Sequence, residues 1–204
     1  MTLTYTAAIM ANMGHNSLKG MMKIDGRPMI EYVLDAVPEE AEDIVIMCME
    51  EGVEEYEDVG QPYGARTLVG PHESMDVRSQ LEPVFQNSKS DGLLVLRCDT
   101  PLINRNVTTF LAEIITKFSA GIPRLGIDRP EFIPASYRVS SFLPVMSENP
   151  SLPMSEVVRK VRNILYISAE SMRVFDPKLR FLQRVNNSAD ASKAASILRS
   201  MREE

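Results

Sequence analysis

Two residues of this 204-residue chain have surroundings that chemistry can use. They are Lys19, in the loop NSLKGMMKIDG, and Asp99, which closes the apolar run LLVLRCDTP. A loop leaving a strand offers backbone N–H groups to phosphate oxygens, and a lysine within it adds a compact positive charge. A carboxylate at a strand's end, with Thr100 and Pro101 behind it to stop the strand, is well placed to hold Mg²⁺. Magnesium on a nucleotide takes only one or two protein carboxylates, because phosphates and water complete its octahedron. Each residue also has a plainer reading. A lone aspartate after a strand often serves as a turn or cap, and a loop lysine often only faces solvent. The other reactive types offer less. His15 and His72 have no partner at metal-ligand spacing and read as surface residues. Cys48 and Cys98 lie inside apolar runs, as buried free thiols do, and form neither a zinc spacing nor a disulfide framework. Met10, Met13, Met21 and Met22 read as core filling beside a strand.

The elements that must position Lys19 and Asp99 alternate strand with helix. Residues 2–10 read as a buried strand; after the loop 11–19, Pro28 stands at a first helical position, and Met29, Ile30, Val33, Leu34 and Val37 follow a helical stripe. Residues 43–49 and, more weakly, 65–70 read as strands, 73–87 as an amphipathic helix, and 92–98 as a strand covered on both faces. Asn104 can cap a further helix. Beyond residue 120 the pattern is less regular: strands at 133–140 and 163–168, a helix near 154–162, and a last helix from about Ser188 to the C-terminus. The acidic stretches PEEAED and EEGVEEYED read as solvated faces and loops. The alternation predicts one three-layer α/β/α domain over residues 1–204 with a mainly parallel, Rossmann-like mixed sheet. Ligands of such sheets bind beyond the carboxyl ends of the strands, where both Lys19 and Asp99 fall.

Composition narrows the function. With 44% hydrophobic and 25% charged residues the chain can bury a real core. A formal net charge of −6 argues against a nucleic-acid surface, which needs lysine and arginine to neutralise phosphates. No apolar run approaches a membrane span, and the first residues lack a basic leader, so a cytoplasmic protein without membrane contact is expected.

Taken together, these segments resemble the molybdenum cofactor guanylyltransferase family, within the nucleotidyltransferases of glycosyltransferase-A-like fold. That family opens with a strand ending Leu-Ala-Gly-Gly. Ser-x-Arg-Met-Gly, a lysine segment and Gly-x-Pro-Leu follow. Here Met10 and Ala11 answer to Leu-Ala, Met13 and Gly14 to Met-Gly, and KGMMKIDGRPMIEYVLDAV to the lysine and its sequel. VLRCDTPLI matches the second signature and puts Asp99 at its magnesium-binding aspartate. RVNNSADASKA (184–194) resembles the family's Asn-x-Asn-Thr-Pro-Glu-Asp segment, keeping Asn186 and Asp190, and IPASYRVSSFLPVM, which contains Arg138, resembles a stretch on the pterin side.

The resemblance implies transfer of GMP from GTP to the phosphate of a molybdopterin-type cofactor, with Mg²⁺ as cofactor and pyrophosphate released. It makes residues 1–120 the nucleotide-binding part and 121–204 the acceptor-binding part. Lys19 and Asp99 would be catalytic, with Asp99 the metal ligand. Met10, Ala11, Asn12 and Gly14 would join them in binding the nucleotide, and Arg138 and Asn186 would bind the acceptor. The implied partners are GTP, a phosphate-bearing pterin and, transiently, molybdoenzyme maturation proteins. Another acceptor such as adenosylcobinamide phosphate, or a degenerate relative that binds nucleotide without turnover, are the alternatives. The chain departs from the pattern where Asn12 and Met13 replace both glycines, where Leu18 replaces an aspartate before the lysine, and near Gly70, where the family's acidic residue is missing. A near-isosteric Asp99→Asn change is expected to reduce turnover sharply and leave thermal stability almost intact.

Overall fold

In the computed structural model, residues 4–13, 16–71 and 76–203 are described. The chain begins with β1 (Tyr5–Met10), every residue of which is buried. A two-residue hairpin, β2 (Lys23–Ile24) with β3 (Arg27–Pro28), turns through Asp25 and Gly26, both at positive φ. It delivers α1 (Met29–Asp35), with Pro28 as its N-cap and Met29, Ile30, Val33 and Leu34 buried as the helical stripe predicts. Then come β4 (Ala41–Cys48), α2 (Val53–Gly60), β5 (Arg66–Val69), α3 (Val77–Asn87) and β6 (Gly92–Arg97), whose residues are again all buried. The order continues with α4 (Arg105–Ile114), β7 (Ala120–Arg124), β8 (Ala135–Arg138), α5 (Val139–Glu148), α6 (Met154–Lys160), β9 (Ile164–Ser168) and α7 (Ser188–Glu203).

Seven strands form one sheet in the order β5-β4-β1-β6-β8-β7-β9. The first four are parallel; β8 runs antiparallel to β6 and β7, and β9 runs parallel to β7. The predicted mainly parallel mixed sheet is therefore present, with strands from both halves of the chain. Alternation along β1 splits the core in two, as the period of a strand requires. Ala7 and Ile9 pack with Ile30, Val33, Ile46, Leu94 and Leu111 on the face of α1, α2 and α4. Ala8 and Met10 pack with Met47, Leu93, Leu81, Phe85 and Phe142 on the face of α3, α5 and α6. The register Met10↔Met47 and Met10↔Arg97 brings the carboxyl ends of β4, β1 and β6 level, so that one edge gathers the loops after each.

Three stretches differ from the sequence reading. The acidic segment read as solvated faces and loops contains a helix not read from sequence, α2, anchored by Tyr56, which is fully buried. The strand predicted at 133–140 is confined to Ala135–Arg138; Val139 already starts α5, with its N–H bonded to the Asp91 carbonyl. β7 gave no signal, because its five residues include a glycine and a proline. Cys48 and Cys98 are buried and free, as expected. No helix among the described residues is long and apolar enough to cross a membrane.

Candidate active site

Asp99 stands two residues past the end of β6. The strand's ladder extends one residue beyond it through the Cys98 N–H, which donates to the Met10 carbonyl at 3.2 Å. The chain then turns: Thr100 Oγ1 donates to the Arg97 carbonyl at 3.0 Å and the Ile103 N–H to the Thr100 carbonyl at 3.1 Å. The Asp99 side chain is only 2% exposed. A carboxylate so deep must be paired, and two cations pair it. Arg97, two residues back and so on the same strand face, donates from Nε to Oδ1 at 2.7 Å and from Nη2 to Oδ2 at 3.0 Å. Lys19 Nζ donates to Oδ2 at 2.5 Å. Burial alone would push the Asp99 carboxyl up; the hydrogen bonds and charges of Arg97, then of Lys19, outweigh it and hold it below the usual carboxylate range. Cys98 lies between them, and burial pushes its thiol up to about 12, which makes it inert as a nucleophile.

Lys19 reaches Asp99 from the turn Lys19–Met21. The next residue is seated by Tyr56, whose hydroxyl accepts from the Gly20 N–H at 3.0 Å. A Cβ at Gly20 would lie 3.0 Å from that hydroxyl and 3.3 Å from Cys98 Cβ, so glycine lets the loop press against β6. On its other side Lys19 Nζ donates to Asn186 Oδ1 at 3.0 Å. Asn186 is fixed in turn: its N–H donates to Asp190 Oδ2 at 2.9 Å, and the neighbouring Val185 N–H donates to the Asp99 carbonyl at 2.8 Å. Lys19, Asp99 and Asn186, far apart in sequence, thus meet at one point on the carboxyl edge.

The other expected residues divide. Met10 and Ala11 end β1 with fully buried side chains and engaged backbone, the Met10 carbonyl accepting from Cys98 and the Ala11 N–H donating to the Met47 carbonyl at 2.7 Å. They shape the loop's root, and leave the N–H groups of Asn12 and Met13 without a bond among the described residues. Gly14, with His15 and His72, lies outside the described residues. Asn12 is 3% exposed, and both its Oδ1 and its Nδ2 lack a partner among the described residues. Its amide stands against Gly70, where a Cβ would come within 2.7 Å of Nδ2 and 2.6 Å of Met47 Sδ. Asn12, which stands where the family has glycine, thus shares with Met47 the space that a side chain at position 70 would need.

Arg138 does not join the site. Because β8 runs antiparallel to β6, Arg138 pairs with Gly92 at the strand's start. At ~3.3 Å per residue this leaves it roughly 20 Å from Asp99 along the strand. There it faces Asp91 and donates to the Ile115 carbonyl at 2.5 Å. The structure therefore does not bring Arg138, expected at the acceptor, together with Lys19, Asp99 and Asn186. The site residue that sequence reasoning missed is Arg97, although its signal was legible: an arginine inside a strand buried on both faces needs a carboxylate, and Asp99 is the one on its own face.

A mainly parallel sheet whose first strand feeds a lysine loop, and whose central strand ends in an aspartate that this lysine reaches, is the frame of a nucleotidyltransferase. Residues 12–152 match the family model of the MobA-like NTP transferase domain, and the chain belongs to that family. Solved structures agree on the fold. Molybdopterin-guanine dinucleotide biosynthesis protein A from Archaeoglobus fulgidus superposes with a TM-score of 0.73 at 21% identity, over 96% of this chain and 100% of that one. 4-Diphosphocytidyl-2C-methyl-D-erythritol synthase from Anaerococcus prevotii gives 0.73 at 12% identity, over 96% and 99%. A CMP:2-keto-3-deoxy-manno-octonic acid synthetase complexed with CTP gives 0.67 at 14% identity, over 98% and 99%. No curated protein matches the sequence.

Nucleotidyltransferases of this family generally use a divalent metal. Among the described residues no group of three or more His, Cys, Asp or Glu could cage one. Both Asp99 oxygens accept from cations, so the carboxylate as it stands offers a bare dication no unneutralised charge. The donor set does fit a dication that arrives on a polyphosphate, which needs only one protein carboxylate. Phosphate oxygens would compete for Lys19, and its departure would leave Asp99 Oδ2 with the single bond from Arg97 Nη2.

Proposed function

We propose that the chain transfers GMP from GTP to the phosphate of a molybdopterin-type acceptor and releases pyrophosphate. The observation that carries this reading is Lys19 Nζ held between Asp99 Oδ2 and Asn186 Oδ1, a cation resting on two groups it can leave when a triphosphate arrives. Lys19 would then neutralise phosphate charge, the free N–H groups of Asn12 and Met13 would donate to phosphate oxygens, and Asp99 with Asn186 would hold Mg²⁺. The metal, when bound, would supply further charge neutralisation on the phosphates. The attacking phosphate of the acceptor is ionised at neutral pH, so the residues need only position it in line. That agrees with a site whose Cys98 thiol is inert. Asn12 would face the nucleobase or ribose with one donor and one acceptor, the pair that a buried amide must find in its ligand.

A cytidine nucleotide is the second reading, favoured by the same amide, which can also match the edge of cytosine, and by the structural likeness to proteins named for cytidylyl transfer or solved with CTP. Incubation with Mg²⁺, the phosphate-bearing pterin and GTP, CTP or ATP in turn tests both, with released pyrophosphate as the readout. Melting gives an independent check, since a nucleotide at a hundredfold excess over its dissociation constant adds about 2.7 kcal/mol. GTP is expected to release pyrophosphate and raise the melting point more than ATP. Equal shifts with GTP and ATP would sink the guanine assignment, and no turnover with any nucleotide would leave a binding protein.

A further inference from the structure

Beside Asp99, on the far side of Arg97, the carboxyl edge holds a second cavity of about 270 Å³. Arg97, Arg129 and Arg184 line it, with Glu131 the only acidic residue in its wall, and Ile133 and Phe181 among the apolar groups of its floor. The three arginines come from unrelated places: the end of β6, the loop between β7 and β8, and the segment before α7. Arg97 is committed to Asp99, Arg184 Nη2 reaches Glu131 Oε2 at 3.4 Å, and Arg129 makes no ion pair among the described residues. One glutamate therefore faces two guanidinium groups that Asp99 does not neutralise. In a chain of net charge −6, such a concentration of positive charge in a concave, part-apolar site selects an anion.

We propose that this cavity binds the oxyanion of the acceptor, a phosphate monoester carried on an organic body, with Arg129 and Arg184 as its specificity-determining residues. The proposal rests on the transferase reading and assigns that reading's second substrate to a place. Three points carry it. Planar guanidinium forks match phosphate geometry and hold it by paired hydrogen bonds. With Glu131 set against them, Arg129 and Arg184 leave one net positive charge for an anion, and the three oxygens of a phosphate monoester can meet both guanidinium forks where one carboxylate cannot. The apolar floor gives the rest of the acceptor something to cover. Arg97 belongs to both sites, since its Nε and Nη2 bond Asp99 while its side chain forms part of the cavity wall. An anion seated there lies one side chain away from the group that Lys19 holds.

The test is calorimetric titration of the full chain with glycerol phosphate, inorganic phosphate and malonate at low salt, with and without saturating GTP and Mg²⁺. Glycerol phosphate is expected to bind in the presence of GTP, and more tightly than malonate. Arg129→Met and Arg184→Met, both at exposed positions, should each weaken it about tenfold without lowering the melting point. Glu131→Gln should tighten it by releasing Arg184. Unchanged affinity in the double arginine variant would overturn the proposal. Displacement of glycerol phosphate by GTP would overturn it too, because the arginines would then serve the nucleotide's own phosphates. Malonate binding as tightly would replace the phosphate monoester by a carboxylate. None of these outcomes needs turnover. A chain that binds phosphate through Arg129 and Arg184 yet transfers nothing would refute the transferase reading alone. A transferase whose acceptor KM is unmoved in the double variant would refute the cavity alone.

Discussion

Two clusters in this molecule are made of the same three residue types, an aspartate between an arginine and a lysine. At the amino edge of the sheet, Asp43 accepts from Arg66 Nη2 at 2.9 Å and from Lys89 Nζ at 3.2 Å. At the carboxyl edge, Asp99 accepts from Arg97 and Lys19. The difference lies in depth and in what the lysine does. Lys89 is 65% exposed, Lys19 only 15%. Among the described residues Lys89 bonds Asp43 alone, whereas Lys19 also bonds Asn186, which belongs to a third segment. The Asp43 cluster ties neighbouring strands, with Arg66 continuing to the Asn87 carbonyl. The Asp99 cluster instead concentrates charge at the one edge of a parallel sheet where loops converge and ligands sit. Composition alone does not separate them; strand direction does.

The largest expected effect separates them by one substitution made twice. Asp99→Asn should lower turnover by about a hundredfold or more, as loss of a preorganised charge in a water-poor site does. Asp43→Asn should leave turnover unchanged. The structure also revises the expectation for stability, which from sequence is that Asp99→Asn costs almost nothing. Arg97, 9% exposed, would lose the charge that balances it, and an uncompensated buried charge costs about 3 kcal/mol. That corresponds to a fall in melting temperature of roughly 6–12 °C for a chain of this size. A normally melting, inactive Asp99→Asn protein would show that Lys19 and Arg97 rearrange freely, and normal turnover would remove Asp99 from the site.

What the sequence made legible follows the same divide. Lys19 and Asp99 could be read because each follows an apolar run read as a strand, Lys19 in the loop after β1 and Asp99 just past β6, and strand ends in alternating α/β chains share an edge. The pairing of Arg97 with Asp99 was equally open to reading, since residues two apart on a strand share a face. Arg138 was expected near the acceptor through the resemblance alone, and a strand read at 133–140 does not reveal which way it runs; reversing β8 carries its last residue to the other edge. α2 was hidden by its charge, as only Tyr56 within EEYED marks the buried side. The meeting of Arg129 and Arg184 with Arg97 could not be foreseen, because it depends on the course of two irregular segments.

A smaller effect is expected where Asn12 meets Gly70, a neutral contact on the same edge as Asp99. Gly70→Ala would place a Cβ against Met47 and the Asn12 amide, an overpacking that costs about 1–3 kcal/mol. Asn12→Gly removes one of the two obstacles and an unpaired amide. The double variant should therefore recover part of the loss, with a coupling of about 0.5 kcal/mol or more. Strict additivity in urea melts would mean that the Asn12 amide simply moves aside.

Acid should weaken the carboxyl-edge cluster in a definite direction. The folded Asp99 carboxyl lies below its ordinary value of 3.8, so the unfolded chain binds that proton more readily. Its contribution to stability is then fully present above about pH 5 and fades as pH falls through 3.8 toward the lower folded value. Urea unfolding of the parent and of Asp99→Asn should give stabilities that differ at pH 6 and converge at the acid end. A gap that does not change with pH would assign the loss in the variant to packing, not to charge.

The smallest effect belongs to the amino-edge lysine, and its size is the sharpest check on the comparison. Lys89 keeps most of its side chain in water, so its attraction to Asp43 is screened, and holding the long chain in one place costs entropy. Asp43 also keeps its bidentate Arg66 when Lys89 is removed. Lys89→Met should therefore change stability by about 0.5 kcal/mol or less, and that remnant should vanish in high salt. Lys19→Met, the matching change at the other edge, should weaken GTP binding by about 2 kcal/mol or more, since Lys19 sits in a partly desolvated site and makes charge-assisted bonds. The two lysines differ by 70 residues in position and by one sheet edge in space, so melting and nucleotide titration of both variants place them on a common scale. If Lys89→Met cost as much stability as Asp99→Asn, exposure would not be what divides the clusters. If Lys19→Met bound GTP as the parent does, the loop after β1 would have no phosphate role, and the contrast between the edges would reduce to depth of burial.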